Sequence, residues 1–540
     1  MSTLLHGDRP AGDPRATRSP VLGRNGVIAT SQPLASAAGL RVFQDGGNAI
    51  DAAITAAAVL AVVEPPMTGV GGDVFAIVYD ARTKRLRGLN SSGRAGARAN
   101  ADALLAQGLA EMPDEGPYPV TVPGAVAGWA ALLEAHGTIT MGHALAPAIR
   151  YARDGYAVSE IIAAQWLEET PKLAADSEAA AVFLPRGKAP RAGAIFSNPD
   201  LDGTLEEIAR GGPDVLYRGA LGAAIAADVE RRGGFLTVAD LDAHRADWVD
   251  PIGTSYRGYD VYELPPNTQG FVALEMLNIL EGYDVAAMGH NSGDYLHHLV
   301  EAKRIAFADR AAHLADPAHV PPALLAALIS KDYAAERRRD IDPRRAAARH
   351  DPRSLDRHRG DTVYLAAADG HGNAISFINS LFAGFGSGIV VPRTGVVLHN
   401  RGSGFSLQQG HPNRLAPGKR PLHTLVPGFI MKDGQPFMTF GVMGGDNQAQ
   451  AHAQVVVNIV DFGMNVQTAG DAARVRHGGH VLAVESGIGD AARAELTRRG
   501  HTLVDGRGAM GGYQAVMIDP ATGVLMGGSD PRKDGLAVGW

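Results

Sequence analysis

Thr362 is the residue whose type and position point most directly to chemistry. It lies in Gly360-Asp361-Thr362-Val363-Tyr364, where an arginine-rich segment ends and a predicted hairpin begins. Cleavage of the Asp361–Thr362 bond would leave Thr362 with a free α-amine. Such an amine can act as general base for the hydroxyl of its own residue, which activates threonine as a nucleophile. The junction therefore suggests the hypothesis of a self-processing amidohydrolase or acyltransferase.

The hairpin that follows is predicted to bring a second hydroxyl beside Thr362. The pattern predicts two strands, 362–368 and 374–381, around a turn of residues that tolerate positive φ. If the turn is centred on His371, Thr362 lies directly opposite Ser380 on the same face, with Cβ atoms about 5 Å apart. A one-residue bulge would change this register. Taken alone, the two side chains could also be ordinary strand hydroxyls.

The elements before the hairpin alternate between helices, strands and glycine-rich loops. Asp51 is predicted to cap an almost entirely apolar, buried helix over 52–63. The glycine-rich loop Thr68–Asp73 leads into a predicted strand over 74–79. No Lys-Ser/Thr pair follows this loop, so a turn packed near the active site is favoured over a phosphate-binding loop. Helices are also predicted over 274–280 and 296–312.

Two segments depart from this regular pattern. Residues 1–25 are polar and rich in proline, glycine and arginine, which predicts a loose tail. Nine arginines fall between Arg337 and Arg359, with few large apolar residues among them. A segment of this composition cannot bury itself, so an exposed loop is predicted. A solvated linker is the ordinary interpretation, and it is compatible with cleavage after Asp361.

Composition limits the possible partners and cofactors. The 540-residue chain has a net charge of −7 and no cysteine, which gives no reason to expect a nucleic-acid partner and excludes disulfides and thiolate ligands. The longest apolar run, 52–63, is too short to cross a bilayer, so no membrane partner is expected. The first residues lack the pattern of a secretory signal, and a cytoplasmic protein is expected. The histidines His297, His298, His423 and His452 form no recognised metal motif, so no metal is predicted.

A series of short motifs is spread along the chain in a fixed order. The motifs are Gly46-Gly47-Asn48-Ala49-Ile50-Asp51-Ala52-Ala53, Thr68-Gly69-Val70-Gly71-Gly72-Asp73, Val122-Pro123-Gly124, Ala308-Asp309-Arg310, Gly384-Phe385-Gly386-Ser387-Gly388, Lys419-Arg420-Pro421-Leu422, Gly444-Gly445 and Ser529-Asp530-Pro531-Arg532. Together they resemble the γ-glutamyltransferase family of N-terminal-nucleophile hydrolases. The resemblance extends from about Val27 to Trp540 and depends on the order of the motifs rather than on any one of them.

The resemblance implies a fold and a maturation pathway. The fold is a four-layer αββα sandwich, an α/β (α+β) architecture. The precursor would be cut into a large subunit, residues 1–361, and a small subunit, residues 362–540, which together form one composite domain. The exposed linker, 337–361, would end the large subunit. A homodimer of these heterodimers is a further implied possibility.

The resemblance also implies the catalytic groups. Thr362 would be the nucleophile and new N-terminus, and Ser380, already selected by the hairpin register, would be the supporting hydroxyl. Backbone amides of Gly444 and Gly445 would form the oxyanion hole; without the resemblance, this stretch could be only a tight strand-to-helix turn. The expected partners are a small-molecule amide and a water or amine acceptor, with no metal or organic cofactor.

The positions that would recognise a γ-glutamyl group differ from the family pattern. The arginine that holds the α-carboxylate falls on Ser92, and Arg94 could substitute because alternate strand residues point the same way. These changes remove fixed charges suited to gripping an amino acid and leave a more apolar pocket. Phe382 and Val363 are expected to enlarge its apolar share, while His423 could offer the substrate a hydrogen bond. The other affected positions are Ser403 for an acid, Phe382 for an asparagine, His423-Thr424 for a serine pair, and Val363 for the threonine after the nucleophile.

Two substrate classes therefore remain open. One is the family's γ-glutamyl amides of the glutathione type. The other is a small non-γ-glutamyl amide, as in the oxamate amidohydrolase and acylase branches. An unprocessed binding or scaffold protein and a nucleotide-dependent enzyme are alternatives from other functional classes, the latter depending only on glycine-rich loops.

Overall fold

Two β-sheets packed face to face form the centre of the molecule, and helices cover both outer faces. The structure, a computed structural model, describes residue 13 and residues 15–347, 360–508 and 510–540, with residues 360 and 361 described by their backbone alone. This arrangement confirms the predicted αββα sandwich.

The strands are β1 Val21–Gly23, β2 Gly26–Thr30, β3 Asp73–Asp80, β4 Arg85–Ser91, β5 Tyr156–Ala157, β6 Ile195–Phe196, β7 Asp247–Val249, β8 Ile252–Tyr256, β9 Tyr259–Glu263, β10 Gly360–Asp369, β11 Ala374–Ala383, β12 Gly428–Lys432, β13 Gln435–Val442, β14 Val475–Gly478, β15 Val481–Val484, β16 Leu503–Asp505, β17 Tyr513–Ile518, β18 Leu525–Ser529 and β19 Leu536–Gly539.

The α-helices are α1 Pro33–Gln44, α2 Ala49–Val63, α3 Ala101–Ala106, α4 Ala125–His136, α5 Met141–Asp154, α6 Glu160–Glu168, α7 Thr170–Ala174, α8 Ser177–Phe183, α9 Pro199–Gly211, α10 Asp214–Tyr217, α11 Ala220–Arg231, α12 Val238–Asp242, α13 Gly270–Glu281, α14 Val285–Met288, α15 Gly293–His313, α16 Pro322–Leu328, α17 Lys331–Arg337, α18 Asn447–Val460, α19 Val466–Asp471 and α20 Asp490–Arg498. Within the described residues, no helix has the length and apolar composition that crossing a membrane requires.

Each large sheet has seven strands. The first has the order β19-β2-β10-β11-β3-β4-β7, and the second has the order β1-β18-β17-β13-β12-β9-β8. Buried side chains such as Phe75, Tyr364 and Phe429 fill the space between the sheets. Helices α1, α2 and α4 pack on the outer face of the first sheet, with α5 packed against α2, and α13 and α18 pack on that of the second, with α15 packed against α13. Because both faces of the first sheet are covered, β3 is apolar along most of its length.

Helix α2 begins three residues earlier than predicted. Asn48 is its N-cap: the side-chain oxygen accepts hydrogen bonds from the backbone N–H groups of Ile50 and Asp51. Asp51 is the third helical residue, and its carboxylate accepts the backbone N–H of Asn48 at 2.9 Å, which completes a capping box. The prediction that Asp51 itself caps the helix is therefore wrong, whereas every residue of α2 is buried, as predicted.

The two segments predicted to be loose are partly ordered. Residues 21–23 form β1, which pairs with β18, and the backbone N–H of Thr17 donates to Asp471. The end of the predicted tail is therefore packed against the second sheet. In the predicted linker, residues 338–340 form a short 3-10 turn and Ile341 is buried, whereas 342–345 are exposed. Residues 348–359 lie outside the described part of the chain.

Candidate active site

The hairpin of β10 and β11 brings the two predicted hydroxyls together. Residues 363–368 pair with residues 379–374 in the predicted register. Beyond them the register shifts by one residue, so that Asp361 pairs with Phe382. Thr362 lies within this bulge, and its Oγ1 is 3.1 Å from Oγ of Ser380. The predicted proximity is confirmed, and both side chains are buried in the space between the sheets.

A buried carboxylate lies on the strand next to Ser380. Asp73 begins β3 and is directly opposite Ser380. Its Oδ1 accepts the N–H groups of Gly93 and Gly124, and its Oδ2 accepts Nε2–H of His423 at 3.1 Å. Burial alone would raise the pKa of Asp73, but the imidazoles and a nearby guanidinium lower it to about 2. Asp73 is therefore ionised at neutral pH.

His423 is engaged with the protein through both ring nitrogens. Nε2 donates to Asp73, and Nδ1 accepts the backbone N–H of Leu425 at 3.4 Å. Burial, reinforced by Arg401, lowers the pKa of His423 to about 3, so the ring is neutral. The expectation that His423 offers a hydrogen bond to substrate is not met, because neither nitrogen is available for one.

Arg401 is a functional candidate that sequence reasoning did not select. It begins a 3-10 turn, Arg401–Gly404, and its side chain has no solvent exposure. Nη2 donates to Oγ of Ser380 at 3.2 Å, and Nη1 donates to Oγ1 of Thr424 at 2.9 Å. Burial lowers its pKa to about 9 against the opposing influence of Asp73 and Asp446, so it remains charged at neutral pH. The hydroxyl of Ser380 thus links the guanidinium of Arg401 to the hydroxyl of Thr362.

Phe382 completes the surroundings of Arg401. Its ring lies 4.0 Å from the guanidinium carbon, a cation–π contact. Its backbone N–H donates to Oγ of Ser380 at 2.8 Å, and its φ is +82°, a conformation that side-chain-bearing residues rarely adopt. Val363, by contrast, belongs to the core beneath the helices, on the opposite face of β10. The expectation that Val363 enlarges an apolar pocket is therefore wrong.

The glycine pair after β13 presents two backbone amides. Gly444 and Gly445 have φ of +120° and +58°, which favour glycine at both positions. Among the described residues, neither N–H has an acceptor. The carbonyl of Gly445 accepts Nε2–H of Gln269, and Arg310 donates both to Gln269 and to Asp446. The turn is therefore fixed by a buried network while its amides remain available to an oxyanion.

The loop Thr68–Asp73 packs against the same strand. A Cβ on Gly72 would lie 2.5 Å from the carbonyl oxygen of Ser380, and one on Gly71 would lie 2.0 Å from that of Val397. Only glycine permits these approaches. The glycines therefore allow the loop to contact the backbone of the proposed supporting residue, which agrees with a turn near the active site.

Comparison with known proteins assigns the family. The family model described as gamma-glutamyltranspeptidase matches residues 35–540. The chain belongs to the γ-glutamyltranspeptidase family. It is 39% identical over 532 residues to a glutathione hydrolase-like YwrD proenzyme of Bacillus subtilis (strain 168), covering 96% of this chain and 99% of that protein. As a member of this family, it is a hydrolase or transferase enzyme.

Two further relatives of this γ-glutamyltranspeptidase-family chain have other names. An oxamate amidohydrolase proenzyme of Klebsiella pneumoniae subsp. pneumoniae is 34% identical over 531 residues, covering 96% of this chain and 98% of that protein. The crystal structure of a cephalosporin acylase from Bacillus halodurans superposes with a TM-score of 0.91 at 41% identity, covering 100% of this chain and 99% of that one. The family therefore spans more than one type of named activity.

Ser92, which stands at the position of the family arginine, and Arg94, predicted as its possible substitute, both have partners within the protein. The hydroxyl of Ser92 donates to Oδ1 of Asn90 at 2.7 Å. The guanidinium of Arg94 is paired with Asp316 at 3.2 Å and donates to the carbonyl of Gly418. Both contacts are made by Nη1 and orient the guanidinium toward Asp316 and Gly418, so no observation supports the predicted substitution of Arg94 for the family's arginine.

Ser403 and Thr424 both lie close to Arg401, Thr424 through a hydrogen bond and Ser403 as a neighbour in the same turn. Thr424 accepts a hydrogen bond from Arg401. Ser403 is in the same 3-10 turn as Arg401, is 4% exposed, and has a hydroxyl with no partner among the described residues. A buried hydroxyl without a partner is costly. The hydroxyl of Ser403 is therefore available for a hydrogen bond to a bound ligand.

One group of side chains elsewhere could in principle hold a cation. The ligand atoms of His297, Glu301 and His501 lie within 4.8 Å of one another. However, Nε2 of His297 faces the carbonyl of Asp342 at 2.8 Å, and its Nδ1 faces Nε2 of His501 at 2.9 Å. Glu301 accepts hydrogen bonds from Arg304 and from a backbone amide. Protein contacts therefore account for this cluster without a metal.

Proposed function

We propose that the chain cuts itself between Asp361 and Thr362 and then acts as an N-terminal threonine amidohydrolase or acyltransferase. The observation that carries the proposal is the 3.1 Å contact between the hydroxyls of Thr362 and Ser380. The backbone amides of Gly444 and Gly445, which have no acceptor within the described part of the chain, add donors of the kind that stabilise an oxyanion. The word proenzyme in the names of two relatives also supports maturation by cleavage into two subunits.

Maturation would use the same hydroxyl as turnover. Oγ1 of Thr362 attacks the carbonyl carbon of Asp361, the C–N bond breaks, and an ester joins the two residues. Water then hydrolyses the ester, which leaves a carboxylate on Asp361 and a free amine and hydroxyl on Thr362. In the uncut chain β10 runs through this bond and Thr362 is 1% exposed, so cleavage is also required to open the site.

In each turnover, the freed α-amine of Thr362 would act as the general base. An N-terminal amine has a pKa of about 8, so a useful fraction is neutral near pH 7 and can accept the proton of its own hydroxyl. Attack on a substrate amide gives an acyl ester on Thr362 and releases an amine. Water or an amine acceptor then takes the acyl group. No step of this scheme calls for a metal or an organic cofactor.

Two substrate classes are candidates. γ-Glutamyl amides of the glutathione type are the first, supported by the family and by the name of the Bacillus subtilis relative. Small non-γ-glutamyl amides are the second. Ser92 and Ser403 carry no charge where a γ-glutamyl site would have an arginine and an acid, and the oxamate amidohydrolase and cephalosporin acylase relatives point the same way.

Thr362→Ala tests the proposal. Without the hydroxyl, the variant should remain a single chain of 56.4 kDa on a denaturing gel. The wild-type protein should give two bands, and mass spectrometry should find a fragment that begins at Thr362.

Thr362→Ser is the matched control, because it keeps a hydroxyl and should still be cut. Two bands from folded Thr362→Ala, or an uncut wild-type protein that turns over its substrate, would contradict the proposal.

A further inference from the structure

Arg401 carries a buried positive charge without a direct counter-ion. Its side chain is fully buried, and among the described residues no carboxylate lies within ion-pair distance of it. Among the residues that the structure describes, only Ser380 and Thr424 accept hydrogen bonds from its five N–H groups, and Nε–H has no partner. A buried guanidinium with unused donors is unfavourable unless a further group satisfies it.

A second group in the same turn also lacks a partner. The hydroxyl of Ser403 is buried and makes no hydrogen bond within the described structure. Arg401 and Ser403 are separated by one residue in a single 3-10 turn. These two unsatisfied polar groups lie in one turn and are donors of the kind that a polar ligand satisfies. A carboxylate suits them, because it offers several acceptor sites to N–H and O–H donors.

The position of Arg401 relates this site to the acyl side of the reaction. Its guanidinium binds the hydroxyl that contacts Thr362, and it stacks on Phe382. The backbone of Asp361, which is the acyl donor in the proposed self-cleavage, pairs with Phe382 in the hairpin. Asp361, the acyl side of the scissile bond, therefore lies beside Phe382, whose ring stacks on Arg401.

We propose that Arg401, aided by Ser403, binds a carboxylate carried by the acyl group of the substrate. The enzyme then acts on amides of short dicarboxylic acids, and an α-amine on the acyl group is not required. The two carboxylates whose charge reaches Arg401, Asp73 and Asp446, are already paired with His423 and Arg310. This inference deepens the proposed function and rests on Thr362 as the nucleophile.

An alternative role for Arg401 is purely structural. It could hold Ser380 in place and balance the charge of Asp73, whose field raises the pKa of the guanidinium. The two roles differ in what they predict. A structural role affects every substrate alike, whereas carboxylate binding affects only substrates that carry the carboxylate.

Three p-nitroanilides of equal chain length separate these roles. The glutaryl compound carries a terminal carboxylate, the pentanoyl compound has a methyl group in its place, and the γ-glutamyl compound adds an α-amine to the glutaryl chain. For the wild-type enzyme, we expect kcat/KM for glutaryl to exceed that for pentanoyl on the order of 100-fold. The γ-glutamyl compound should be no better than glutaryl.

Arg401→Gln should reduce the glutaryl-to-pentanoyl ratio to about one, because the charge-assisted bonds are lost. Arg401→Lys keeps the charge and should retain part of the ratio; it is also the variant to measure if Arg401→Gln does not fold. Arg94→Gln is the matched control, because it removes another arginine, whose guanidinium is held by Asp316 and Gly418, and it should leave the ratio unchanged.

An unchanged ratio in Arg401→Gln, or a ratio that collapses in Arg94→Gln, overturns the inference. If the wild-type protein hydrolyses none of the anilides, the proposed function fails, and calorimetric titration with glutarate then tests Arg401 directly. Binding of glutarate that weakens on the order of 100-fold in Arg401→Gln supports the carboxylate site independently. Equal binding, or none to either protein, refutes it.

Discussion

His423 is a buried imidazole that the fold keeps neutral. Its two nitrogens serve Asp73 and Leu425, and burial lowers its pKa to about 3 from the ordinary 6.5. The unfolded chain therefore binds a proton as pH falls below 6.5, whereas the folded chain does not until about pH 3. Since the unfolded state binds more protons across this window, His423 makes the free energy of unfolding fall as the pH is lowered.

We expect His423→Gln to make the pH dependence of stability shallower. Glutamine does not titrate, and its amide can replace Nε2–H as a donor to Asp73. The contribution that disappears is about 1.4 kcal/mol per pH unit, or roughly 2 kcal/mol between pH 6.5 and about pH 5. Urea unfolding at several pH values measures it. Parallel curves for the variant and the wild type over this range would show that His423 does not titrate as inferred.

Contacts between two side chains can be predicted from the sequence when they depend only on the register of one hairpin. Thr362 and Ser380 are joined by one short hairpin, so counting residues across the turn was enough to predict that they lie close together, although a bulge at Thr362 removes the direct pairing that was predicted. Arg401 could not be found in this way. Its contacts with Ser380 and Thr424 join separate loops and strands through tertiary packing, and neither charge pattern nor periodicity signals such contacts. The available sign was weak: a single arginine in a stretch of glycine and small polar residues.

Helix α2 depends on one carboxylate at its start. The oxygens of Asp51 accept the backbone N–H groups of Asn48 and Thr138 and the hydroxyl of Thr138, and the residue is fully buried. The carboxylate therefore joins the first turn of α2 to the segment that follows α4. Its removal would leave several buried donors unsatisfied, which is more costly than the loss of an exposed cap.

Asp51→Ala should lower the free energy of unfolding by about 2–4 kcal/mol, because both the capping box and the link to Thr138 are lost. Asp45→Ala is the control. Asp45 lies at the end of α1 in an exposed ion pair with Arg41, so its loss should cost less than about 1 kcal/mol. Urea unfolding monitored by circular dichroism gives both values. Equal effects of the two substitutions would contradict the role assigned to Asp51.

The start of α2 and the presence of β1 could not be predicted from sequence patterns alone. The apolar run of α2 was recognised, but its start was misplaced, because Asn48 and Asp51 are both good capping residues and only tertiary contacts distinguish their roles. Likewise, β1 is too short and too polar at its margins to be seen in a sequence. It forms because β18 offers an edge with which it can pair. Such elements are specified by their neighbours rather than by their own residues.

At the scale of the whole molecule, the proposed cut divides the chain but not the sheets. In the first sheet, β2 precedes the cut and lies between β19 and β10, which follow it. In the second sheet, the four strands that follow the cut are flanked by β1 on one side and by β9 and β8 on the other. The layer architecture was predicted from the family resemblance. This interleaving could not be predicted from local patterns, because it depends on pairings between distant segments.

The interleaving predicts that the two fragments stay together after cleavage. Separating residues 1–361 from 362–540 would break strand pairs in both sheets and expose the core between them, at a cost comparable to unfolding. Cleaved wild-type protein should therefore elute from a gel-filtration column in native buffer as one peak containing equimolar amounts of both fragments. Uncut Thr362→Ala is the control and should elute at the same volume.

In increasing urea, the fragments should separate only at concentrations where the circular dichroism signal is lost. Two separate peaks in native buffer, each retaining folded structure, would mean that the cut lies elsewhere or that the strand order is different.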